Sequence, residues 1–275
     1  MVAAETNTRK QPAQLRMSPS ERSERAEQKR GMVLGFLASE RWTTPATIAD
    51  LLQTQRQNAD RLIHQLEKER LLIVDKQRED LYKNRVVVGI TREGIMESGL
   101  DLDQCVAPYG RGRAPLSQFR HQVACHKYRV LAERAGWTDF MPDKIMRTRS
   151  TPVLKRTGHA LTGKLPDYLA KNQMGQVFAF EVETSIKSPD RYKTIFGLHI
   201  EAIERFKRYE KVVYISDTDR RLKSLKRVVE RIDKILLWKG WHDVDPYLRL
   251  FDFVLESEAR SYFASFDEGV NINDV

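Results

Sequence analysis

Asp167, Glu181 and Glu183 are the residues whose types and spacing point most directly to chemistry. They fall in two short apolar segments, KLPDYLA (164–170) and QVFAFEVETS (176–185), joined by the turn-forming stretch Asn172-Gln173-Met174-Gly175-Gln176. A hairpin folding about Met174 sets Asp167 opposite Glu181. Strand alternation then puts Glu183 on the same side, with Phe178, Phe180 and Val182 turned to the core. Three carboxylates on one sheet face repel unless a cation neutralises them, and hard carboxylate oxygens suit Mg2+ or Mn2+. The plain alternative is the solvated face of an acidic strand. The Pro166-Asp167 lead-in and the apolar strand favour a buried hairpin, and with it the metal site.

Helices must hold such a hairpin in place. SQFRHQVACHKYRVLAERAG (117–136) reads as one, opened by Ser117 and closed at Gly136, with Val123, Val130, Leu131 and Ala135 on its apolar side. His121 and Cys125 share a face of it at i and i+4. No second pair of soft ligands lies nearby in sequence, so zinc is not expected, and His126 and His159 receive no role. A basic, proline-containing stretch without regular structure is expected before the hairpin. Beyond it, Ser188-Pro189 opens a long helix through about Tyr209, with Arg191, Tyr192 and Lys193 in its first turns, placed to meet a phosphate or simply solvent. KVVYIS (211–216) reads as a buried strand, DRRLKSLKRVVERIDKILL (219–237) as an amphipathic helix and YLRLFDFVLES (247–257) as a final strand. The order helix, hairpin, helix, strand, helix, strand predicts an α/β domain over 117–265, with helices covering a mixed sheet.

The first part of the chain has a different pattern. Residues 1–25 are too polar to order themselves and read as a tail, as do 266–275. Helical spacing then appears in EQKRGMVLGFLASE (27–40) through Met32, Val33, Phe36 and Leu37. Thr44 caps a short helix with Pro45 at its first position. QRQNADRLIHQLEKERLL (55–72) is a longer amphipathic helix that buries Ala59, Leu62, Ile63 and Leu66 and exposes Gln55, Arg56, Asn58, Arg61 and His64. Two strands, LLIVDK and RVVVGIT, flank a polar loop, and a short helix (92–100) follows. Two prolines, two glycines and two arginines within 101–116 read as an interdomain linker able to lie across phosphates.

Over 26–100 this layout resembles a winged helix-turn-helix domain. The resemblance implies that the third helix enters the DNA major groove, with Gln55, Arg56, Asn58 and Arg61 facing the bases. The hairpin wing would bring Lys76, Arg78, Lys83 and Arg85 to the backbone. A winged helix used for dimerisation or protein docking is the alternative. Lys and Arg number 47 against 38 acidic residues, a net charge of +9, which favours a polyanionic partner.

Pro166-Asp167 followed by Glu181-Val182-Glu183 resembles the PD-(D/E)XK nuclease superfamily. The resemblance implies that Asp167 and Glu181 hold Mg2+ for in-line phosphodiester cleavage. Lysine usually occupies the position of Glu183, and Lys187 or Lys193 from the following helix would supply it here. A winged helix joined to a restriction-endonuclease-like α/β domain is similar to the replication-relaxation and MobC-type mobilisation proteins, whose helix before the hairpin presents a histidine; His121 would match it. This resemblance implies a metal-dependent relaxase nicking double-stranded plasmid DNA at a transfer origin, alongside accessory mobilisation proteins and a coupling protein. The alternatives are a non-catalytic DNA-binding regulator of plasmid replication or transfer, and a double-strand endonuclease of host defence or transposition.

Other classes find no support. No apolar run approaches the length of a membrane span and the polar N-terminus lacks the apolar segment of a secretory signal, so a soluble, cytoplasmic protein is expected. Cys105 and Cys125 are too few for a disulfide framework. Walker, GxSxG, HExxH and His-x-His patterns are all missing.

Overall fold

The computed structural model describes residues 18–78, 84–112, 114, 118–148, 165–238 and 240–266. Helix α1 (Pro19–Glu40) starts inside the stretch expected to be a tail. Ser18 and Glu21 form a capping box: the Ser18 hydroxyl accepts from the Glu21 amide, and the Glu21 carboxylate accepts from the Ser18 amide at 2.7 Å. Its second half buries Val33, Leu34 and Leu37 against α2 (Pro45–Leu51), capped by Thr44, and α3 (Arg56–Lys68), which contributes Ala59, Ile63 and Leu66. β2 (Leu72–Arg78) and β3 (Asn84–Ile90) form the expected antiparallel hairpin. The two-residue strand β1 (Trp42–Thr43), not anticipated, pairs with β3 to give the order β1-β3-β2. α4 (Arg92–Glu97) closes the unit on a Thr91 cap. Helix, short helix, longer helix and hairpin thus stand in the winged-helix layout.

The described part of 101–116 is no loose linker. Val106 donates its amide to Ala38 O and Tyr109 to Ile90 O, both at 2.8 Å. The Tyr109 ring is buried against Gly89, where a Cβ would stand 2.2 Å from it. Asp75 of β2 accepts from the Tyr109 hydroxyl at 2.7 Å and from the Gly112 amide at 2.8 Å. An aromatic side chain with a polar partner anchors a segment whose glycines and prolines read as loop.

The second half is built on a five-stranded mixed sheet of order β10-β7-β6-β5-β4. α5 (Phe119–Arg134) begins at Gln118; the expected cap, Ser117, lies outside the described residues. β4 (Thr138–Pro142) occupies sequence expected to be irregular and pairs antiparallel with β5 (Tyr168–Lys171), which pairs antiparallel with β6 (Val177–Glu183). Residues 143–148, after β4, are helical. α6 (Pro189–Glu204) stops short of Tyr209 and returns the chain to β7 (Lys211–Ser216), parallel to β6.

α7 (Asp219–Glu230) also ends early. Lys234–Leu237 forms β8, alternating exposed and buried with period two, and pairs with β9 (Gly240–Asp243). β10 (Phe251–Leu255) lies parallel to β7, and α8 (Ala259–Ala264) follows. One sheet face, through Ala179, Val212 and Tyr214, packs on α6, α7 and β8. The other, through Phe178, Phe180, Val182 and Ile215, packs on α5 and α8. α5 was expected to bury Val123, Val130, Leu131 and Ala135. It buries Cys125, His126, Tyr128, Arg129, Val130 and Ala132, because it lies between the sheet and the N-terminal half and must fill both sides.

Candidate active site and nucleic-acid face

The β5–β6 pairing runs from Lys171 opposite Val177 to Tyr168 opposite Phe180 and ends there; Asp167, expected opposite Glu181, instead donates its amide to Phe180 O at 3.0 Å. Asp167 Oδ2 accepts the Val182 amide at 2.8 Å, and Oδ1 lies 3.2 Å from His121 Nε2 on α5. The same Nε2 is 3.5 Å from Cys125 Sγ. Glu181 and Glu183 share one face of β6, as alternation requires. That face is covered by α6, and each is only 2% exposed.

Burial of a carboxylate is tolerated only with compensating partners. Glu181 meets His199 Nε2 at 3.1 Å, and His199 Nδ1 meets the Tyr209 hydroxyl at 2.7 Å. Glu183 accepts Lys187 Nζ on both oxygens at 2.7 Å and the Tyr192 hydroxyl at 2.7 Å. Burial, reinforced by that bond to Glu183, pushes the Tyr192 hydroxyl above its ordinary range. Of the two lysines expected to replace the customary one, Lys187 meets Glu183 at 2.7 Å. Lys193 Nζ lies 5.3 Å over the Trp241 ring instead.

His121, Asp167, Glu181, Glu183 and Lys187 all line one pocket of about 460 Å³, with Cys125 in its wall and Lys144, Arg147 and Arg191 adding positive charge. The acidic trio does not gather as a metal cage. Asp167 turns to α5, while Glu181 and Glu183 are held by His199, Lys187 and Tyr192 on the α6 side. This donor set does not fit the Mg2+ or Mn2+ expectation. Among the described residues, the potential ligand atoms that lie within 4.8 Å of one another are those of His121, Cys125 and Asp167. Sequence spacing gave the first two; the third comes from 46 residues away.

Gln55 stands at the N-cap of α3, and Gln55, Arg56, Asn58, Arg61 and His64 are exposed. Arg56 pairs with Asp60 at 2.8 Å, and Arg61 Nη1 donates to Asn58 Oδ1 at 3.3 Å. On the wing, Lys76 is exposed, Arg78 ends β2 and Lys83 lies outside the described residues. Arg85 corrects the expected set. Its guanidinium lies 4.3 Å over the Phe119 ring, which stacks on Trp42, so it joins the two halves rather than facing outward.

A buried polar group escaped the sequence reading. Glu40 at the end of α1 meets Arg129 Nη1 at 2.5 Å and His126 Nε2 at 3.2 Å. His126 Nδ1 meets Thr43 Oγ1 at 2.9 Å. Burial would raise the Glu40 carboxyl, but Arg129 and His126 outweigh it and hold it at about 2; burial pushes His126 down. Gln122 connects this group to the pocket, lying 3.1 Å from His126 Nε2 and accepting Lys144 Nζ at 2.9 Å. Only helical spacing on α5 hinted at any of it.

No family model and no curated protein matches the chain. Among solved structures, a double mutant of Lactococcus lactis ZitR in apo form matches at 16% identity with a TM-score of 0.23, over 50% of this chain and 86% of that one. S. aureus MepR bound to ethidium bromide matches at 16% identity with a TM-score of 0.22, over 56% of this chain and 98% of that one. With superposition this low, neither likeness bears on what the chain does. No helix among the described residues is long and apolar enough to cross a membrane.

Proposed function

We propose that the chain binds duplex DNA through α3 and the β2–β3 hairpin and cleaves a phosphodiester in the pocket between α5, β6 and α6. The observation that supports this reading is the convergence of His121, Asp167, Glu181, Glu183 and Lys187 on that pocket, from segments far apart in sequence. Lys187, Arg147 and Arg191 offer positive charge to the phosphate oxygens. His121, oriented by Asp167, is the group placed to take a proton from an attacking hydroxyl. Asp167, Glu181 and Glu183, the carboxylates expected to hold Mg2+, are each partnered within the protein and enter this reading without it. The narrower form of the reading is strand nicking at a plasmid transfer origin, with accessory mobilisation and coupling proteins as partners. Asp167→Ala tests it: cleavage is lost while duplex affinity stays near wild type. A parallel loss of both contradicts it.

The second reading is a non-catalytic DNA-binding regulator. Its support is the closure of Glu183 by Lys187 and Tyr192, an arrangement in which protein groups alone satisfy the buried carboxylate. Under it, Asp167→Ala leaves DNA binding intact and there is no cleavage to lose.

A further inference from the structure

We infer that His121 Nε2, Cys125 Sγ and a carboxylate oxygen of Asp167 form a three-ligand site for a thiophilic divalent ion of the zinc class, its fourth position facing the pocket. It shares His121 and Asp167 with the proposed cleavage but does not depend on cleavage occurring; an ion bound there occupies His121 Nε2, so His121 takes a proton only while the site is empty.

The distances carry the inference. A tetrahedral ion about 2.0 Å from nitrogen and oxygen and about 2.3 Å from sulfur has an N···O edge of roughly 3.3 Å and an N···S edge of roughly 3.5 Å. His121 Nε2 lies 3.2 Å from Asp167 Oδ1 and 3.5 Å from Cys125 Sγ. The third edge also falls inside 4.8 Å. One imidazole nitrogen holds at most one proton, so it can serve only one of these two contacts as a full hydrogen bond. An ion between the three atoms satisfies both.

The surroundings agree. The i and i+4 spacing on α5 puts the imidazole and thiol on one helix face. The Val182 amide on Asp167 Oδ2 fixes the carboxylate so that Oδ1 faces His121. Cys125 is buried, Asp167 and His121 are half-buried, and all three line the pocket, which gives an ion a way in and an exchangeable fourth ligand. Imidazole and thiolate are donors that Mg2+ passes over and zinc-class ions select. On binding, the Cys125 thiol releases its proton to solvent as the sulfur–metal bond forms.

Co2+ titration of the chelator-treated, reduced full chain tests this without DNA. The site predicts a near-ultraviolet sulfur-to-cobalt charge-transfer band that saturates at one Co2+ per chain. Zn2+ should abolish it and excess Mg2+ should not. The band should survive Cys105→Ser and vanish in Cys125→Ser, and His121→Ala should weaken Co2+ binding by more than ~100-fold, beyond the loss usual for an outer-shell partner. The chain has two cysteines, so wild type and Cys105→Ser assign the sulfur even if Cys125→Ser fails to fold. No thiolate band in wild type, or a band lost with Cys105→Ser, overturns the inference. Cleavage supported by Mg2+ with no thiolate band would leave the nuclease reading standing and remove this one; a thiolate band without cleavage would do the reverse.

Discussion

Arg129 and Glu40, separated by 89 residues, meet at 2.5 Å in a site closed to solvent and tie α5 to the end of α1. Ser39 Oγ accepts from the same guanidinium nitrogen at 2.7 Å. Removing the cation leaves a carboxylate buried without its main partner, a change that costs about 3–5 kcal/mol. Arg129→Met should lower unfolding free energy by that order in urea denaturation, and Glu40→Gln added to it should restore a large part. A loss within the ~0.5 kcal/mol of ordinary surface substitutions would mean the pair does not hold the halves together.

Acid should expose the same group. Glu40 sits at about 2 when folded against an ordinary 4.5, so the folded chain binds fewer protons than the unfolded one between those values. Its stabilisation is complete above about 4.5 and lost as pH falls toward 2, a span worth about 3 kcal/mol. His126, pushed below its ordinary 6.5 by burial, adds a loss that begins as pH falls below 6.5. Urea midpoints should therefore decline gently from pH 7 to 5 and steeply below. Glu40→Gln should flatten the steep part; an unchanged slope would refute the assignment.

On DNA, Arg61 and Arg85 should behave differently. Arg61→Ala removes an exposed guanidinium from α3 and should weaken duplex binding by about 1–3 kcal/mol if it reads a base, or reduce the salt slope by ~0.9 if it meets a phosphate. Arg85→Ala removes a guanidinium stacked on Phe119. It should cost roughly 0.5–2 kcal/mol of stability and leave the salt slope unchanged. Fluorescence anisotropy across salt, beside thermal melts, separates the two; equal salt slopes for both variants would sink the distinction.

Features encoded by near neighbours were legible in sequence. The turn centred on Met174 set the β5–β6 register from Lys171–Val177 to Tyr168–Phe180, and the spacing of Ala59, Ile63 and Leu66 set the buried face of α3. β4 was missed because it is an edge strand with a register shift between Thr138 and Met141 and Pro142 at its end, which leaves no clean alternation. β8 was hidden because Ile235 and Leu237 also fit the helical pattern running out of α7. At the pocket, the identities of the five residues were legible, but their partners were not. His199 reaches Glu181 from α6 and His121 reaches Asp167 from α5, contacts fixed only by how helices pack on the sheet. That packing also explains why three carboxylates expected to share one metal divide between two helices.

The most direct test of the account is conversion of supercoiled plasmid carrying a candidate transfer origin. Purified chain is incubated with Mg2+, Mn2+ or Zn2+ or with EDTA, beside Asp167→Ala and Glu181→Ala. Open circles are predicted with the wild-type chain and none with either variant, while both variants still bind the duplex. Linear product would replace nicking with double-strand cleavage. Tight binding with no conversion under any of these metals would contradict the account and leave the DNA-binding regulator in its place.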